Sequence, residues 1–171
     1  AGLWCVNAGH NHPKIKEAIK TQLDTLDYVS NFQFAHPTAF KAASRLCASM
    51  PEPFNHVFFS NSGSEAVDTA LKIALAYHRA KGDGTRRVLI GRERSYHGVG
   101  FGGISVGGIP YVRKAFGQLL PYVDHLPHTH DLEHNAFVKG IPEYGAHYAD
   151  ELEKIIMLHD PSNVAAVIVE P

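Results

Sequence analysis

The segment from Val164 to Val169 is apolar at every position, with the sequence Val-Ala-Ala-Val-Ile-Val. A strand with one face in water alternates apolar and polar residues, whereas a strand covered on both faces is apolar throughout, as in parallel sheets flanked by helices. Segments of similar β-type composition lie at 57–59, 87–90 and 122–126. Helical periodicity is found at about 12–26, 37–50, 63–81 and 143–158. This alternation predicts an α/β fold, with a mostly parallel open sheet and helices on both faces.

The overall composition indicates one α/β domain with small-molecule partners. The chain has 171 residues and a formal net charge of −1, so it lacks the basic excess that nucleic acid or an anionic membrane attracts. Cys5 and Cys47 are not spaced as a metal-binding or redox pair, which is typical of a reducing compartment. No apolar run approaches the roughly 20 residues of a membrane span. We therefore expect a cytoplasmic protein that binds neither nucleic acid nor membrane.

The junction between the strand-like residues 56–60 and the following helix is suited to binding an anion. Ser62 and Glu65 form a capping-box pattern, which places Ser62 at the helix N-cap and turns Glu65 back onto the Ser62 amide. Gly63 and Ser64 then lie in the first turn, where backbone N–H groups lack intrahelical partners at the positive end of the helix dipole. Gly63 permits close approach of a phosphate, and Ser64 can add a hydroxyl donor. An ordinary capped helix without a ligand is the alternative explanation.

The glycine-rich segment 98–107 matches two further motifs. Gly98, Gly100 and Gly103 form the G-x-G-x-x-G pattern of dinucleotide-binding proteins, with Asp124 about twenty residues further on. Residues 103–107 form a G-x-S-x-G pattern, in which Ser105 would be the nucleophile of a hydrolase. Both motifs require a helix directly after the turn, and the sequence that follows is β-branched and interrupted by glycine and proline. We therefore expect these glycines to allow close backbone packing around a ligand.

Four histidines lie close together in the sequence, so a metal site must be considered. They are His125, His128, His130 and His134. Their spacing matches no standard zinc pattern, and structural zinc sites usually take ligands from two separated pairs. We expect solvated loop histidines and no bound metal.

Three segments together resemble a known enzyme family. They are Asn61-Ser62-Gly63-Ser64-Glu65-Ala66, Arg94-Ser95-Tyr96-His97-Gly98 and Val169-Glu170-Pro171. With these segments the chain is similar to the class III pyridoxal-phosphate-dependent aminotransferases, and most similar to the ω-amino acid (β-alanine):pyruvate aminotransferases. The resemblance covers the whole chain. It implies that residues 1–171 are a single partial domain, with an N-terminal helical segment at 1–50 and, at 51–171, the core of the large cofactor-binding domain of a fold-type I enzyme.

The resemblance also implies a cofactor site. The family's phosphate-binding residues correspond to Ser62, Gly63 and Ser64, and its ring-stacking aromatic residue corresponds to Tyr96. Two more residues are implied in the same pocket, namely His97 along its wall and Glu170 beside the cofactor.

Two aromatic residues are implied in substrate binding. The resemblance makes Trp4 a wall for the amino donor and Phe32 a second substrate-binding residue. In the family, the segment that contains Phe32 and Phe34 reaches the active site of the neighbouring subunit. We therefore expect a homodimer or a higher homo-oligomer.

The implied function belongs to a longer protein. In the family, the aspartate that binds the ring nitrogen and the Schiff-base lysine follow the Glu170-Pro171 step, so we expect no catalytic residue in this chain. The chain starts at Ala1 rather than at a methionine, and we expect it to be a fragment. The parent protein would transfer an amino group from an ω-amino acid such as β-alanine to pyruvate. The alternatives are another class III member, either an aminomutase or a different ω-aminotransferase, and a non-catalytic fragment that binds a phosphate-bearing ligand.

Overall fold

The structure, a computed structural model, describes residues 2–171 and divides them into two compact units. The first unit ends at Phe58, and the second is Phe59–Pro171. The first unit contains helix α1, Pro13–Thr25, and helix α2, Pro37–Ala48. Each begins with a proline in its first turn, where the missing N–H has no intrahelical partner in any case. Both helices were expected from their apolar periodicity, and neither contains a buried residue.

A three-stranded parallel sheet forms the centre of the second unit. Strands β1, Val88–Arg92, β2, Val123–Leu126, and β3, Val164–Val167, are arranged in the order β2-β1-β3. Both pairings of β1 are parallel, so the carboxyl ends of all three strands meet at one edge of the sheet. The predicted parallel sheet is therefore confirmed. The central strand, and the most buried, is β1 rather than the apolar segment at 164–169.

Helices cover both faces of this sheet, as the sequence predicts. The longer ones are α3, Gly63–Ala80, and α7, Ala146–His159. Between them lie the short helices α4, Phe101–Val106, α5, Pro110–Arg113, and α6, Leu132–Asn135, and the 3₁₀ turn Pro161–Asn163 precedes β3. Within residues 2–171, no helix is both long enough and apolar enough to cross a membrane.

The side chains of β1 alternate between two core clusters. Leu89 packs with Leu71 of α3 and Val106 of α4 on one face. Val88 and Ile90 pack on the other face, with Leu126 of β2 and the apolar side of α7. Because successive strand residues point to opposite faces, one five-residue strand supplies apolar side chains to both layers.

Two local expectations from the sequence are wrong. Residues 57–59 form no strand, and Phe58 and Phe59 are exposed, because β-type composition does not itself provide the neighbouring strand that a ladder requires. The segment after Gly100 does form a helix, α4. Its Ile104 and Val106 are buried, and this tertiary packing outweighs their weak helical propensity.

Candidate functional site

The candidate site lies at the carboxyl edge of the sheet, in the second unit. The segment with Tyr96 and His97 follows β1, and Glu170 follows the neighbouring strand β3. The N-terminus of α3 approaches the same segment, because Val99 N–H donates to the Ser64 hydroxyl oxygen at 3.0 Å. The structure therefore brings the predicted phosphate-binding and ring-binding residues together at the edge where open α/β sheets bind ligands.

Helix α3 begins with the predicted capping box, shifted in one contact. The Ser62 hydroxyl oxygen accepts from Glu65 N–H at 3.1 Å, as expected for an N-cap. Glu65 Oε2 accepts from Asn61 N–H at 2.9 Å, one residue earlier than the Ser62 amide that the sequence suggested. Among residues 2–171, the N–H groups of Gly63 and Ser64 have no hydrogen-bond acceptor. They are available to an external anion.

A side chain would have open space at Gly63 and no space at Gly98. A Cβ on Gly63 would meet no atom within 4 Å. Gly98 has φ +101°, and a Cβ there would lie 2.6 Å from the Ser64 hydroxyl oxygen. The absence of a side chain at Gly98 thus lets the loop lie directly on the first turn of α3. Since the Ser64 hydroxyl accepts from Val99, its own proton remains free to be donated.

Most glycines of segment 98–107 pack against atoms of the chain itself. A Cβ on Gly100 or Gly102 would collide with the carboxylate of Asp68 on α3. One on Gly103 would collide with the carbonyl oxygen of His97. These glycines were expected to allow close packing around a ligand; in the structure they pack against α3 and the loop after β1, and packing around a ligand stays a prediction.

Tyr96 is held through its main chain and leaves its ring accessible. Its N–H donates to Glu170 Oε2 at 2.6 Å, and the Arg92 guanidinium donates to the main-chain carbonyl oxygen of Glu170. The Tyr96 residue is 48% exposed. A half-exposed ring near an open helix N-terminus can stack on a flat ligand.

His97 is buried next to this exposed tyrosine. Its Nε2 is buried and has no hydrogen-bond partner among the described residues. Burial lowers the pKa of His97 below its usual value, the positive charge of Arg92 and nearby His125 lower it further, and the carboxylate of Glu170 opposes them. The imidazole is therefore neutral at pH 7 and offers an unused polar nitrogen.

Trp4 and Phe32, the predicted substrate-binding residues, belong to the first unit. Trp4 is 87% exposed and Phe32 is 77% exposed. The Phe32 amide donates to the Ser30 hydroxyl at 3.1 Å, which fixes the backbone of that turn. Their assignment to a substrate pocket stays a prediction.

The hydrolase and dinucleotide alternatives lack the required geometry. Ser105 lies inside α4 and is buried, and its hydroxyl donates to Phe101 O at 2.5 Å and accepts from Leu120 N–H at 2.9 Å. It is a packed helical serine rather than a nucleophile on a sharp turn. Gly98 follows the last residue of β1 by several positions, whereas a dinucleotide motif follows its strand directly. Asp124, the acidic residue that the dinucleotide motif would use, instead pairs with His159, with 2.9 Å between Asp124 Oδ2 and His159 Nε2.

The histidine-rich segment forms separate structural contacts. The expectation of solvated loop histidines is wrong for His125, which is half-buried in β2 with its Nε2 3.0 Å from the Arg113 guanidinium. His134 lies in α6 and pairs with Asp131 at 3.0 Å. The backbone N–H of His134, together with the Tyr148 hydroxyl, lowers the pKa of Asp131 to about 2. No group of three or more potential ligands that could hold a metal is found in the described part of the chain.

Two residues of the site framework were missed by the sequence analysis. Arg92 holds the main chain of Glu170, and Asp68 accepts from Gly103 N–H at 2.9 Å. The sequence could have placed Asp68 near the site, because it lies four residues after Ser64 and therefore on the same face of α3. No sequence pattern indicated the role of Arg92, because its partner Glu170 is distant in the sequence.

The chain is similar to known proteins over its whole length. The family model described as aminotransferase class-III matches residues 1–171. An omega-aminotransferase of Caulobacter vibrioides is 66% identical over 171 residues, which are 100% of this chain and 39% of that protein. A beta-alanine–pyruvate aminotransferase of Pseudomonas aeruginosa is 51% identical over 173 residues, covering 100% of this chain and 38% of that protein. The chain thus spans well under half the length of these relatives.

A solved structure has the same fold. It is an amine transaminase from an uncultivated Pseudomonas species, in a form with bound pyridoxal phosphate. It is 40% identical, with a TM-score of 0.87, and the match covers 99% of this chain and 39% of that one. The predicted fold class, part of a fold-type I α/β domain, is confirmed by this match.

Proposed function

The chain belongs to the class-III aminotransferase family, and on this premise we propose that the whole protein transfers an amino group from an ω-amino acid such as β-alanine to pyruvate, with pyridoxal phosphate as cofactor. The name of the Pseudomonas aeruginosa relative supports this donor and acceptor, and the name of the Caulobacter relative supports an ω-aminotransferase. The observation that supports this proposal most directly is that the N–H groups of Gly63 and Ser64, at the start of α3, are free, and that the ring of Tyr96 is accessible.

The residues present fit the proposed cofactor. A phosphate needs several donors and room to approach, and Gly63 N–H, Ser64 N–H and the free Ser64 proton supply the donors where Gly63 leaves open space. The family assignment includes Ser62 in this set, although its hydroxyl oxygen is engaged by Glu65 N–H. The bound cofactor would supply an electron sink for amino-group transfer.

The chain's own residues would bind and orient the cofactor. The Tyr96 ring would cover one face of the pyridine ring, and buried, neutral His97 would line the pocket without adding charge. Glu170 would lie beside them through its contact with the Tyr96 amide. We further propose that the exposed rings of Trp4 and Phe32 contact the alkyl part of the donor, with Phe32 acting in the active site of the neighbouring subunit. We assign no catalytic residue to this chain; the lysine that attaches the cofactor would come from the rest of the protein.

The setting of the enzyme is part of the same proposal. We propose a cytoplasmic homodimer or higher homo-oligomer whose partners are the amino donor and pyruvate. The near-neutral net charge supports small-molecule partners rather than nucleic acid.

Activity of the full-length protein tests the reaction. β-Alanine is supplied as donor with either pyruvate or 2-oxoglutarate as acceptor, and we expect alanine formation to dominate. Preference for 2-oxoglutarate would favour a different ω-aminotransferase, and isomerisation of the donor without an acceptor would indicate an aminomutase.

Replacing Gly63 tests the phosphate site separately from the reaction. Gly63→Ala adds a methyl group where the chain has open space, so folding should be unaffected while a phosphate is pushed away. We expect the apoprotein's Kd for pyridoxal phosphate to rise about tenfold, the size of one lost charge-assisted hydrogen bond, with no change for pyridoxal, which lacks the phosphate. Gly84→Ala is the matched control, because Gly84 is also open and distant from the site in sequence. Equal weakening for both ligands would contradict the proposed phosphate position.

A further inference from the structure

We infer that Glu170 acts as a positioning residue for Tyr96: its carboxylate fixes the ring-bearing loop by accepting from the Tyr96 amide, rather than by contacting the cofactor with its charge. The inference rests on the proposed function and gives Glu170 a more specific role within it. The contact joins residues 74 positions apart, with a Tyr96 N to Glu170 Oε2 distance of 2.6 Å.

Glu170 is itself anchored to the sheet. Ile168 N–H donates to Ile90 O at 2.9 Å, which keeps the chain after β3 beside β1. Two residues later, the Arg92 guanidinium donates to the main-chain carbonyl oxygen of Glu170. Because the main chain of Glu170 is held at both of these points, its carboxylate can fix the position of the Tyr96 N–H.

The loop before Tyr96 is held by Gly108, which accepts from Arg94 N–H at 3.0 Å and donates to Ser95 O at 2.9 Å, and Tyr96 itself is held by Glu170. Arg94, two residues before Tyr96, has φ +63°, an uncommon conformation for a non-glycine residue, so the loop leaves β1 by a sharp turn. Beyond Tyr96, the next anchor to another element is the Val99 contact with Ser64. Within this loop, the Glu170 carboxylate is thus the fixed acceptor at the residue that carries the ring.

Three substitutions in the full-length protein separate a positioning role from a direct electrostatic one. Glu170→Gln keeps an oxygen that can accept from the Tyr96 amide and loses the charge, so the apoprotein's Kd for pyridoxal phosphate should stay within about twofold. Glu170→Asp keeps the charge but is one methylene too short to reach the amide, and Glu170→Ala removes both. The last two should weaken binding by similar amounts, approaching the roughly tenfold loss expected from removing the stacked ring.

A double-mutant cycle supplies the decisive measurement. If Glu170 acts through the tyrosine ring, Glu170→Asp should have no further effect on the Kd in a Tyr96→Ala background. Additive losses would overturn the inference, and so would a Glu170→Gln variant that binds as weakly as Glu170→Asp. Thermal unfolding of each apoprotein shows whether it is folded, and the Gln and Asp pair remains informative if Glu170→Ala does not fold. Absence of cofactor binding by the wild-type protein would instead refute the proposed function.

Discussion

Replacing Asp68 with alanine tests whether one helix caps another beneath the candidate site. Helix α4 begins after Gly100, which has no side chain to accept from the first-turn N–H groups. Asp68 of α3 takes this role, because its Oδ1 accepts from Gly103 N–H at 2.9 Å. Gly103 is buried, so the alanine variant would leave its N–H with neither the carboxylate nor free access to water.

The expected effect is about 2 kcal/mol of local stability. An N-cap contributes typically about 1 kcal/mol, a hydrogen bond to a charged group roughly 1.5–3 kcal/mol, and Asp68 is only partly buried. Since 1.4 kcal/mol corresponds to tenfold, amide exchange in segment 98–106 should become about 30-fold faster. Asp68→Asn keeps an acceptor oxygen without the charge, and about half this free-energy change is expected.

Hydrogen exchange with mass spectrometry on the full-length protein measures this effect. Lys72→Ala is the control, because Lys72 lies on an exposed part of the same helix and should change stability by less than about 0.5 kcal/mol. Unchanged protection of segment 98–106 in Asp68→Ala would refute the capping argument. A similar loss in Lys72→Ala would show that α3 as a whole, rather than the cap, had been weakened.

Three further results are expected in the full-length protein. The titration midpoint of His97, followed by NMR, should lie below 6.5 and should fall further in Glu170→Gln, since the Glu170 charge is the contribution that raises its pKa. Gly91→Ala should lower the thermal unfolding midpoint, with a loss of roughly 1–3 kcal/mol from overpacking, because its Cβ would overlap the main-chain carbonyl of Val106; Gly84→Ala, with open space, should not. The pKa of Asp131 is about 2, below its ordinary value of 3.8, so its stabilisation of segment 131–148 is present above about pH 4. Exchange protection of that segment should therefore fall as the pH drops from 4 to 2, and Asp131→Asn should remove this dependence.

Local chemistry made parts of the site predictable. The start of α3 could be predicted because Ser62 and Glu65 act on amides within four residues of themselves. The α/β fold could be predicted because apolar patterns report which faces of an element are buried. The same reasoning failed at 57–59, where composition suggests a strand but pairing depends on a neighbour that composition does not specify.

The contacts that assemble the site could not be predicted, because they depend on tertiary register. Asp68 meets Gly103 only once α4 has packed on α3, at a separation of 35 residues. Tyr96 meets Glu170 only once β3 has paired with β1. The glycine pattern indicated close packing, but only the structure shows that its partners are α3 and the loop after β1.

The loop between β1 and α4 is held almost entirely by its main chain, and this explains how it can present a side chain to a ligand. Two of its N–H groups and one in the first turn of α4 donate to side chains of other elements: Tyr96 to Glu170, Val99 to Ser64, and Gly103 of α4 to Asp68. The acceptors come from α3, which packs on α4 and β3, and from the segment after β3, the strand beside β1. Because none of these contacts uses the Tyr96 ring, the ring can be substituted without loosening the loop, whereas a change to any of the three acceptors should loosen the loop without touching the ring.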